Sequence, residues 1–154
     1  MTIDYLHLLH QTLFGALAAS GFGILFNFGW RELLWCAGSG AVALTTRTLA
    51  QDAGWSLEAA SFVAAATVGS SGRLLRSHLG MASNALAVCG CIPMVPGSFA
   101  THAIFGLFAL TAPSAQNATL MMTTTVEMLR VAFTIGAIGA GLSMTTHILR
   151  TRDF

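Results

Sequence analysis

Two stretches of this chain, residues 5–30 and 77–126, hold no Asp, Glu, Lys or Arg. Each is longer than the about 20 apolar residues that carry a helix across a bilayer at ~1.5 Å per residue. The rest of the chain agrees. Charged residues make up 8% of it and hydrophobic ones 55%, with no lysine at all, against roughly a quarter charged in an ordinary soluble domain. A length of 154 residues leaves space for about four or five membrane helices and no soluble domain. The expected fold is therefore all-α, a polytopic membrane helix bundle forming a single integral membrane domain over residues 1–154. Seven arginines are scattered and the net charge is +1, which gives no footprint for a nucleic acid.

The N-terminus carries Asp4 and no basic residue ahead of the first apolar run. It lacks the positive region of a secretory signal, so the first helix is expected to be retained, although Ala16-Leu17-Ala18 resembles a cleavage site. Cys36, Cys89 and Cys91 are too few for a disulfide framework, and Cys-x-Cys is not a zinc spacing. They read as buried free thiols, and the sequence calls for no metal and no cofactor.

Periodicity and punctuation place helices at about 5–27, 32–49 and 56–75 and at about 119–149. Ser56 stands where it can cap the third, with Glu58 near the positive end of the helix dipole. The apolar stretch 82–110 contains Pro93, Pro96 and Gly97 and cannot be one continuous helix. This gives about five transmembrane helices, the fourth broken at Pro93–Gly97. Trp30, Trp35 and Trp55 fall near proposed ends, as amphipathic rings do. With five crossings one face holds Arg47 alone, and the other holds Arg31, Arg73, Arg76, Arg150 and Arg152. A fourth segment that dipped in and returned would divide them evenly, so the positive-inside bias favours five crossings and a cytoplasmic C-terminus.

Small residues recur every fourth position at Gly15, Ala19 and Gly23, again at Ser61, Ala65 and Gly69, and at Gly136 and Ala140. Such stripes let helix backbones approach closely in lipid, within the chain or between subunits. Polar residues inside spans are the functional candidates, because each is costly in hydrocarbon. Glu127 and Arg130 are three apart and can pair on one helical face. The alternative is a snorkelling pair at a helix end. Glu127 is the proton-coupling candidate, and Arg130 the residue to hold a carboxylate. Thr123, Thr124 and Thr125 either line a path or bond back to their own helix.

The proline break carries the strongest expectation. Gly97 permits a tight turn, and Ser98 can cap a half-helix running to about residue 110, with its first N–H groups free. Helix starts of this kind hold anionic groups in transporters. The expected substrate site is Pro93, Pro96, Gly97, Ser98, Phe99, Thr101 and His102, together with Arg130. The alternative is a kink that only shapes packing. Gly69-Ser70-Ser71-Gly72 matches a serine-protease pattern, with His102 as an imaginable base. Its context at a helix end argues against catalysis, and the chain is not expected to be an enzyme.

Gly21-Phe22-Gly23-Ile24-Leu25-Phe26-Asn27 and Arg31-Glu32-Leu33-Leu34-Trp35-Cys36 resemble the opening of the small, YjjB-type subunit of the threonine/serine exporter family. Ser56-Leu57-Glu58 leading to Ser61-Phe62-Val63-Ala64, and above all Ile92-Pro93-Met94-Val95-Pro96-Gly97, are similar to that family's third helix and its Pro-x-x-Pro-Gly break. Gly29 departs from a proline often found in the first loop. The resemblance implies a component of a bacterial inner-membrane exporter working with a larger, YjjP-type membrane subunit. Its implied substrates are threonine and serine, or small dicarboxylates such as succinate. A non-transporting scaffold that stabilises a partner membrane protein is the other reading. Without an ATP-binding loop, an ion or substrate gradient would drive export.

Overall fold

A computed structural model describes residues 5–74, 83–111 and 118–150. Among these the chain is all-helical, with six α-helices and no strand. They are α1 (Tyr5–Leu25), α2 (Trp30–Asp52), α3 (Leu57–Leu74), α4 (Ser83–Cys91), α5 (Gly97–Leu110) and α6 (Ala118–Arg150), with a 3-10 turn at Ile92–Met94 between α4 and α5. Arg76, His78 and Arg152 lie outside the described residues.

The first two helices form an antiparallel hairpin. Asn27 takes the left-handed conformation that ends α1, with φ 57°. The Glu32 carboxylate then accepts the Gly29 N–H at 2.8 Å, opening α2. The stripe of Gly15, Ala19 and Gly23 is buried, and its partner is inside the chain. A Cβ added at Gly15 would lie 2.7 Å from the Gly40 carbonyl oxygen, so the two backbones touch there. One turn away, the Thr12 and Thr45 hydroxyls share a hydrogen bond of 2.7 Å.

Gly54, at φ 86°, turns the chain into α3, which Ser56 caps by accepting the Ala59 N–H at 3.3 Å. Ala64, Ala65 and Val68 of α3 form the core with Ala43 and Leu44 of α2, Ala87 and Cys91 of α4, Met94 and Ile138 of α6. Small side chains set the close spacing. A Cβ at Gly141 of α6 would sit 2.6 Å from the Phe62 carbonyl oxygen, and Gly69 abuts Thr145. The second stripe is thus used within the chain, whereas Gly136 and Ala140 are exposed and face away from it. All three cysteines are buried and free, with Cys36 and Cys89 packed beside Leu86 where α2 meets α4.

The expectation of five crossings is met only in part. Among the described residues two helices are long and apolar enough to cross a membrane, Tyr5–Leu25 and Ala118–Thr145, and the pair Ala85–Met94 and Gly97–Leu110, bent by 58°, makes a third if it is one span. The reason lies in burial. α2 carries Arg31 and Glu32 at one end and Arg47 and Asp52 near the other, while α3 is rich in alanine and serine. Both are packed against other helices, and their composition answers to those neighbours rather than to lipid.

Candidate functional site

Pro93 and Pro96 remove two backbone donors from the helix ladder, and the chain unwinds between them. Val95 is extended and leads into Pro96, which takes the N-cap position of α5 without any side-chain capping bond. Ser98 is therefore not the cap. It lies inside the first turn, because the helix starts at Gly97 with Pro96 as its N-cap, two residues before the serine. Gly97 is not needed for a positive φ, and a Cβ there would meet nothing within 4 Å, so the turn does not depend on glycine. The Ser98 and Phe99 N–H groups have no backbone acceptor.

The break is enclosed on one side only, with Met94 and Pro96 buried and Val95, Gly97 and Ser98 exposed. Met94 is fully buried, and its carbonyl, released from the ladder, accepts a hydrogen bond of 2.7 Å from Arg47 Nη1. Arg47 is a candidate that sequence reasoning counted only as the charge of one membrane face. It lies in α2, which continues past it to Asp52 rather than ending near residue 49. A signal was present in its spacing, since Leu44, Arg47, Thr48 and Gln51 share one helical face.

From the break, α5 runs along the first half of α6. A Cβ at Gly106 would collide with the Thr124 side chain, so the two helices meet closely there. This contact brings together four of the predicted residues. His102 Nδ1 is 3.6 Å from Glu127 Oε1, with the imidazole 67% exposed and the carboxylate 27%. Arg130 lies over the Phe99 ring, 5.4 Å from its centroid, a cation–π arrangement. Phe99, Met122, Thr123, Val126, Glu127 and Arg130 line an open surface groove of about 270 Å³. The expected Glu127–Arg130 pair is not formed among the described residues, because each side chain is drawn across to α5 instead of along α6.

The other predicted residues fall elsewhere. Pro93 lines a separate cavity beside Arg47, Pro96 is buried, and Thr101 is exposed and donates back to the Gly97 carbonyl at 2.8 Å. Thr123 and Thr125 likewise bond to carbonyls of their own helix, at 3.0 and 2.8 Å. Ser70 and Ser71 do the same, at 2.7 and 2.8 Å, and they have no access to His102. Gly69 packs at Thr145 whereas His102 sits at Glu127, two positions separated by about 27 Å of continuous helix.

The groove thus offers an exposed cation at Arg130, the Glu127 carboxylate and the aromatic face of Phe99, with the His102 imidazole beside that carboxylate. That set suits a small carboxylate-bearing molecule and a proton. No solved structure matches the chain. The family model for the threonine/serine exporter, ThrE, matches residues 11–148, which covers α2 to α5 whole and most of α1 and α6. The chain accordingly belongs to the threonine/serine exporter family.

Proposed function

We propose that this chain is the small membrane subunit of a secondary exporter for small carboxylate metabolites, either threonine and serine or a dicarboxylate such as succinate. It works with a larger, YjjP-type membrane subunit in the bacterial inner membrane, with its C-terminus cytoplasmic. The observation that carries this reading is the cavity between α5 and α6, where Arg130 and Glu127 stand beside the start of a broken helix. Arg130 and the free N–H groups at Ser98 and Phe99 would take the substrate carboxylate. Glu127, in contact with His102, would load and release the coupled proton. One further feature supports a polytopic placement with α2 as a crossing. Trp30 opens this 23-residue helix and Trp55 follows three residues after its end at Asp52, both exposed, and a helix of that length spans about 35 Å, near the separation of the two aromatic belts of a bilayer.

A scaffold reading draws on the close glycine packing of α1 on α2, which a purely structural subunit would also need. Reconstitution separates the two. Proteoliposomes containing this chain and its co-purifying partner are loaded with labelled serine, threonine or succinate. Efflux of at least one, requiring both chains and abolished by Arg130→Gln, is the expected result. Efflux from the partner alone at the full rate would leave this chain a scaffold.

A further inference from the structure

Another cavity, of about 170 Å³, borders the break at Pro93 and is lined by His7 and Gln11 of α1 and by Leu44, Arg47, Thr48 and Gln51 of α2. Its lining is mostly side-chain donors. Among the described residues the Arg47 guanidinium makes one hydrogen bond, from Nη1 to the Met94 carbonyl, and a guanidinium has five N–H groups to give. Among the described residues no carboxylate forms an ion pair with it. Arg47 is half-buried and Thr48 is 6% exposed, so a full positive charge is drawn partly out of water with a neutral carbonyl as its partner. A charge held in this way calls for a counter-ion. The surrounding groups are the carboxamides of Gln11 and Gln51 and the Thr48 hydroxyl, which can all donate to an oxyanion.

We propose that Arg47, with Gln11, Thr48 and Gln51, forms a second carboxylate site, so that the broken helix separates two arginine-bearing cavities. Pro93, before the unwound residues, borders this one, and Phe99, after them, borders the one at Arg130. Arg47 also ties the released Met94 carbonyl to α2, so a carboxylate bound here sits one hydrogen bond from the hinge of the broken span. For the exporter proposed above, this gives the substrate a site on each side of the break. Anion binding at Arg47 stands without that reading.

Arginine-selective modification tests the site directly. The chain, purified with any partner that accompanies it, is treated with phenylglyoxal, and the modification of Arg47 and Arg130 is followed separately by peptide mass spectrometry. Succinate, threonine and serine are added in separate arms. At ten times its Kd, a bound carboxylate should slow modification of Arg47 about tenfold. Gln11→Glu supplies a carboxylate from the protein and should remove that protection while leaving the Met94 bond and the protection of Arg130 intact. Gln51→Glu serves the same purpose if the first variant does not fold. Arg47 modified at the same rate with and without all three compounds, or still protected in both variants, would overturn the site and leave Arg47 as a cap on the hinge. Loss of protection at Arg130 alone would instead count against the α5–α6 site, so the two failures are distinguishable.

Discussion

Replacing Gly40 by alanine should loosen the α1–α2 hairpin by an amount that follows from its geometry. The added Cβ would stand 2.5 Å from the Ala19 Cβ and 3.0 Å from the Gly15 carbonyl carbon, and it would overlap the Gly15 carbonyl oxygen. Carbon atoms in good contact sit at about 3.5–4.0 Å, so α1 must move off by roughly 1 Å. Neither obstacle can rotate away, since one is backbone and the other a methyl on a packed helix. Overpacking of this kind costs about 1–3 kcal/mol. The same displacement would stretch the Thr12–Thr45 hydrogen bond, now 2.7 Å, which adds about 1 kcal/mol. The sum, about 2–4 kcal/mol, corresponds to a fall in melting temperature of roughly 5–15 °C for a chain of this size. Thermal unfolding of the purified protein in one fixed detergent measures it. Gly38→Ala is the control, because a Cβ there meets nothing within 4 Å. Equal melting temperatures for the two variants would refute the reasoning, since the glycine stripe would then not set the helix spacing.

Thr134 is fully buried with an unpartnered hydroxyl, so Thr134→Val should stabilise the chain by about 1 kcal/mol, read as a higher melting temperature. Gly97→Val should leave stability unchanged, because the new side chain meets no atom of the chain at its Cβ. Loss of efflux in a variant that melts normally would then show that the space in front of α5 is needed by substrate. Glu127→Gln keeps the shape of the side chain and removes its charge beside His102. The pH dependence of efflux should flatten, and an unchanged profile would take Glu127 out of proton coupling.

Most of the fold was legible in the sequence because charge and proline punctuate it. The ends of α2 follow Arg31-Glu32 and Asp52, α3 begins one residue after its Ser56 cap, and the broken fourth segment follows from Pro93 and Pro96. The site was only half legible. Helical spacing placed Glu127 and Arg130 on one face, yet it carries no information about which helix lies opposite. Their partners, His102 and Phe99, emerged only with the packing of α5 on α6. Ser98 was misassigned because Ser is the stronger cap by composition, while Pro96 fixes the first turn before it. Arg47 was read only as an end-of-helix charge for the face count, because the carbonyl that partners it, Met94 in the turn freed by the proline break, is 47 residues away in the sequence.

The central claim is that the α5–α6 cavity holds the carboxylate of an exported metabolite through Arg130. Substrate exchange measures this without any driving gradient. Vesicles carrying the wild-type complex or the Arg130→Gln variant are loaded with unlabelled serine, threonine or succinate, and uptake of the same labelled compound is followed. Arg130 is exposed and makes its one described contact with the Phe99 ring, so the variant should assemble as the wild type does. Exchange by the wild type, lost in the variant with the complex intact, is the predicted result. Exchange at the wild-type rate in the variant would contradict the account.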